Sequence, residues 1–85
     1  MLPPQFQVYA NKDGVIARLP VRLSKKVALA NWAVELLEIG VVYSEPEVND
    51  LIGSYIEDFA LIRRMLVTSG RLQRDPYGRE YRRLS

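Results

Sequence analysis

The chain has 85 residues, 48% hydrophobic and 26% charged, with no cysteine, no histidine and a net charge of +2. That length supports one hydrophobic core and no second one, and the missing side chains exclude a disulfide framework, thiolate or imidazole metal sites, and Cys- or His-based catalysis. The charge is unevenly divided: residues 1–62 hold five Lys/Arg against eight Asp/Glu, and residues 63–85 hold seven Arg against two acids, a change from −3 to +5.

In chain order, Phe6 to Leu19 reads as short extended pieces around Asn11-Lys12-Asp13-Gly14, a turn signal with Gly14 suited to positive φ. An N-terminal extended arm or hairpin over residues 1–20 is the expectation. Pro20 disfavours helix at Leu19, and Ser24 is the expected N-cap of a helix running to about Glu38 and closed by Gly40. Leu29, Trp32, Ala33, Leu36 and Leu37 fall on one face of it, at core spacing, with Asn31 and Glu35 opposite. Val41-Val42-Tyr43 is too short for more than a single extended turn.

Ser44-Glu45-Pro46-Glu47 has the capping-box pattern and starts a second helix through Val48, Leu51 and Ile52, which Gly53-Ser54 interrupts. Glu57 or Asp58 opens a third helix, with Phe59, Ile62, Met65 and Leu66 on one broad face, Ala60, Arg64 and Thr68 nearly opposite, and Arg63 at the flank. After Gly70, two short segments flank Asp75-Pro76-Tyr77-Gly78, a strong hairpin signal in which Asp starts the turn, Pro presets φ and Gly takes the left-handed position. If Leu72 and Tyr81 face the core, alternation sends Arg71, Gln73, Glu80 and Arg82 outward and leaves Arg74 and Arg79 near the tip.

The expected fold is therefore α+β: a small winged helix-turn-helix-like domain over residues 1–85, with three helices (helical part 24–69), a C-terminal two-stranded β-ribbon as the wing (71–84), and the N-terminal arm. All seven cations of the last part are Arg, whose planar fork matches phosphate or carboxylate, so an anionic partner is expected. The candidate nucleic-acid-binding residues are Arg63, Arg64, Arg71, Arg74, Arg79 and Arg82, with the third helix facing a groove and the ribbon gripping phosphates of duplex DNA. That helix offers no exposed Asn, Gln or Lys, so base readout is expected to be weak. A competing reading pairs Arg63 or Arg64 with Glu47 or Asp50 on the preceding helix. Another leaves an apolar strip of Tyr9, Val15, Ile16, Val41 and Val42 as a docking surface for a second copy or a regulator protein.

The blocks Asp13-Gly14, Leu19-Pro20, Tyr43-Ser44-Glu45, Glu47-Val48-Asn49, Asp58-x-Ala60, Arg63-Arg64-x-Leu66, Gly70, Arg74-Asp75 and Gly78 with Tyr81 together resemble the bacterial Domain of Unknown Function 2087 from about Phe6 to Arg83. The resemblance implies a winged-helix-like fold, found alone or behind helix-turn-helix domains, and an association with transcriptional control. This chain has Tyr55-Ile56-Glu57 where members often carry a histidine before the aspartate.

Ser44, Ser54 and Ser69 lack any partner spaced to activate them, so the chain reads as a binding module and not an enzyme. Glu45/Glu47 and Glu57/Asp58 are explained by the helix dipole, so no metal and no cofactor are expected, nor a small-molecule ligand. The absence of cysteine, of a leader-like N-terminus and of an 18-residue apolar run points to the cytoplasm with no membrane association.

Overall fold

A computed structural model describes all residues 1–85, and in it four helices and a three-stranded antiparallel sheet follow in the order α1 (Pro4–Gln7), α2 (Leu23–Ala33), β1 (Val42–Ser44), α3 (Glu45–Gly53), α4 (Phe59–Thr68), β2 (Leu72–Arg74) and β3 (Glu80–Arg83). The α+β class is as expected, but the chain has one more helix and one more strand than its sequence suggests. No helix is long and apolar enough to cross a membrane.

The N-terminal twenty residues form neither a loose arm nor a hairpin. Pro3 and Pro4 preset the first turn of α1, which buries Phe6 beside Trp32, with ring centroids 6.3 Å apart. The turn at Asn11–Gly14 does form: Asn11 Oδ1 accepts the Asp13 and Val15 amides, and Gly14 has φ 77°. The strand after it pairs elsewhere, because Ile16 is fully buried. Its amide donates to Tyr55 O and its carbonyl accepts from the Glu57 amide, both across the α3–α4 connection. Core burial of one isoleucine thus outweighs local hairpin closure. It also dissolves the expected apolar strip: Ile16 is inside, Tyr9 and Val15 are half-buried, and only Val41 and Val42 stay exposed.

Helix α2 starts one residue before Ser24, with Arg22 as N-cap and no side-chain capping bond. The burial of Leu29, Ala30 and Ala33 sets its register, so the local cap preference of Ser24 is overridden. At the other end the α-helix stops at Ala33, tightens into a 3₁₀ turn at Val34–Leu36, and Leu37 is already extended and buried. Two distant side chains hold this early exit: the Tyr43 hydroxyl accepts the Glu38 amide at 2.8 Å, and Arg83 Nη1 donates to Leu37 O at 2.9 Å. Gly40 does adopt positive φ (86°), but in the turn Glu38–Val41 that leads into β1 and not as a helix cap.

Val42–Ser44 is a true strand. It pairs antiparallel with β3, Tyr43 opposite Tyr81, so the sheet order is β1-β3-β2 and the ribbon gains a third strand. The expected capping box of α3 is present: Ser44 Oγ accepts the Glu47 amide and Glu47 Oε1 accepts the Ser44 amide. Those bonds hold the Glu47 carboxyl below its ordinary pKa, the Ser44 amide first and the Ser44 hydroxyl second. Gly53 ends α3 where the Phe59 ring passes; a Cβ there would stand 3.3 Å from Phe59 Cδ2. Helix α4 packs against α2 and α3 and runs directly into the sheet, contributing Ile62 and Leu66 to a core that also contains Leu72 and Tyr81.

Candidate nucleic-acid interface

Asp58 caps α4 by accepting the Leu61 amide at 3.3 Å. With Ile62 and Leu66 buried, the 100° step of the helix sets Arg64 and Thr68 outside, and both are exposed. Arg63 lies at the boundary, its side chain 13% accessible, and it is held on three sides. Its Nη2 pairs with Glu45 Oε1 at 3.0 Å, its Nη1 donates to Asn49 Oδ1, and its guanidinium lies over the Tyr81 ring, 5.9 Å from the centroid. Arg63 therefore does lock α4 to α3. Its partners are Glu45 and Asn49, one helical turn apart, and not Glu47 or Asp50; Glu47 is occupied by the cap.

The ribbon carries the other cations. Leu72 and Tyr81 are buried as alternation requires, while Gln73, Glu80 and Arg82 are exposed. Arg74 is cross-strand partner to Tyr81 and so stands on the sheet face that looks toward α4. Arg82 is partner to Gln73 and to Val42 and points from the opposite face. At the tip, Asp75 Oδ1 accepts the Arg79 and Glu80 amides at 2.6 and 2.9 Å, and the Gly78 amide donates to Asp75 O at 3.1 Å. The Glu80 amide is the main cause, and the Arg79 amide a lesser one, of an Asp75 pKa below the ordinary carboxylate value. Arg79 stacks over the exposed Tyr77 ring at 5.7 Å, an aromatic contact at the tip that the turn pattern did not signal.

The six candidate arginines do not form one continuous face. Arg64 and Arg74 converge: with Arg63, Val67, Thr68 and Tyr81 they line a hollow of about 270 Å³ between α4 and the ribbon. Arg79 sits at the tip with Tyr77, and Arg82 lies on the far side of the sheet, where with Gln73 and Glu80 it borders a second hollow of about 290 Å³ whose rim Arg74 also reaches. Arg71 is not turned outward as alternation suggested. It is half-buried at the base of the ribbon, donating to Asn31 Oδ1 and to the carbonyls of Asn31 and Ser85. The Arg63–Glu45 contact is the one ion pair in the structure, so the acidic first part of the chain does not neutralise the remaining arginines.

No curated protein and no solved structure matches the chain. A family match does exist, to the family described as uncharacterized protein conserved in bacteria (DUF2087), over residues 15–83. The matched stretch runs from the Val15–Ile16 segment to the end of β3, so it includes both walls of the hollow, and the chain belongs to this bacterial family.

Proposed function

We propose that the domain is a non-enzymatic binding module that docks on duplex DNA through α4 and the β2–β3 ribbon, in the manner of a winged helix-turn-helix. The order α2, β1, α3, α4, β2, β3 supports this reading, because it sets two helices joined by a short turn directly before a ribbon. The observation that carries it is the largely uncompensated charge: of seven arginines in residues 63–85 only Arg63 is in an ion pair, and Arg64 and Arg74 line the same hollow. Cations left unpaired on a small domain attract phosphate at long range and in contact. Arg64 and Thr68 are the polar groups on the exposed side of α4, so the contact would position the duplex more than read it. Such docking suits a cytoplasmic role beside transcriptional regulators in bacteria.

The test is fluorescence anisotropy of a labelled random-sequence duplex at low and physiological salt. Binding with a dissociation constant on the order of 10⁻⁵ M that weakens steeply with salt is expected, and Arg64→Ala/Arg74→Ala should remove most of it. No binding at low salt excludes the reading. A second reading, a homodimer or a regulator protein docked along β1, is favoured by the exposure of Ile39 (61%), Val41 and Val42 beside a strand at the sheet edge. Analytical ultracentrifugation over a concentration series separates the homodimer from a monomer.

A further inference from the structure

We infer that the hollow between α4 and the ribbon is a discrete phosphate seat built by Arg63, Arg64, Thr68 and Arg74, and not one part of a diffuse positive surface. The inference rests on the nucleic-acid reading for its occupant. Three arginines border a space of about 270 Å³, and the single carboxylate paired with any of them is Glu45, on Arg63. Like charges gathered this way repel one another until an anion lies among them. A tetrahedral phosphate presents acceptor oxygens in several directions at once, so that each fork and the Thr68 hydroxyl can find one. The carbonyl end of the α4 dipole is nearby and opposes an anion, but it amounts to about half a charge. Its last carbonyls are also occupied by the Ser69, Gly70 and Arg71 amides, so the arginines outweigh it.

One of the three arginines is already held. Arg63 is fixed by Glu45, Asn49 and the Tyr81 ring, and each of its terminal nitrogens keeps a further N–H free to donate. Arg74 lies against Gly78, where a Cβ would stand 3.6 Å from Nε and 3.7 Å from Cζ, so the bare glycine leaves its guanidinium open on that side. Donors ordered before binding lose less conformational entropy when the ligand arrives. At the opposite end of α4, Glu57 and Asp58 are both exposed and repel phosphate. The seat therefore fixes a nucleic-acid backbone against the C-terminal half of α4 and the ribbon.

The experiment follows the Thr68 amide and the Nε–Hε signals of Arg63, Arg64 and Arg74 in ¹H–¹⁵N spectra while inorganic phosphate, and separately a short duplex, is added at constant ionic strength. Saturating shifts at these four residues with phosphate but not with chloride are expected, and the duplex should move the same signals. Arg74→Lys, which keeps the charge and loses the planar fork, should weaken phosphate about tenfold. Failure to saturate, or undiminished binding by Arg74→Lys, overturns the seat. A duplex that binds without moving the four signals also overturns it and leaves the nucleic-acid reading standing. Phosphate saturating the seat of a protein that binds no duplex at low salt supports the seat, with free phosphate as occupant, and overturns the nucleic-acid reading.

Discussion

Asp75 accepts two amide hydrogens on one carboxylate oxygen, and because those bonds favour the ionised form, its pKa is depressed in the folded chain, the Glu80 amide contributing most. A depressed folded-state pKa means that the stabilisation is fully present above the ordinary carboxylate range and is lost as pH falls through the folded value. The Arg79 and Glu80 amide resonances should therefore titrate together at acid pH, below the ordinary carboxylate range, and Asp75→Asn should abolish that titration; a midpoint at the ordinary value would contradict the bonding described. At Gly78, with φ 69°, the nearest atoms would be in ordinary contact with a Cβ, so the cost of Gly78→Ala comes from backbone conformation alone. It should be about 1–2 kcal/mol in urea unfolding. Both residues were legible in the sequence because a tight turn is decided by neighbours in the chain. Asn49 was not legible as a partner of Arg63, since that contact depends on how α3 and α4 cross and no local pattern encodes it.

At the level of elements, the start of α3 and the start of α2 behave differently. Ser44 makes a reciprocal cap with Glu47, so Ser44→Ala should lower stability by about 1 kcal/mol and move the Glu47 pKa back toward its ordinary value. Ser24 makes no such cap, and Ser24→Ala should leave the unfolding midpoint nearly unchanged. The junction of α3 with α4 depends on Arg63. Arg63→Ala strands Glu45 and Asn49 together and should cost about 1.5–3 kcal/mol, whereas Glu45→Gln keeps a neutral acceptor beside the guanidinium and should cost less. A thermal melt in which the two variants are equal would show that the ion pair, and not the wider set of contacts, joins the helices. Helices α3 and α4 were legible from their caps and apolar spacing. The strand β1 was not, because three residues carry no periodicity and their partner lies at the far end of the chain. The N-terminal segment departs from its local pattern for a related reason: its turn forms as the sequence predicts, but Ile16 is held by the α3–α4 connection and not by its own neighbours. Ile16→Ala should accordingly destabilise the whole domain by about 2–5 kcal/mol, as a core truncation does.

For the whole molecule, the division of charge along the sequence becomes a division in space only in part. The cations concentrate at α4 and the ribbon, yet Arg71 is bound at the base of the ribbon, the charge of Arg63 is already offset by Glu45, and Arg82 stands on the sheet face opposite to that of Arg74. Counting arginines in the sequence thus overstates the surface that can meet an anion in one encounter, and the slope of log affinity against log salt should correspond to about two to four phosphates, not six. The sheet order β1-β3-β2 has a further consequence. Both outer strands pair with β3 alone, and β3 follows both of them in the chain. Helix α4 packs on α2 and α3 without it, but β1 and β2 have no other strand partner, and the core is incomplete until Tyr81 enters. A chain stopped at Gly78 should accordingly keep helical circular dichroism while losing the cooperative urea transition of the full domain, so that one four-residue strand decides whether the helices and the sheet unfold as a single unit.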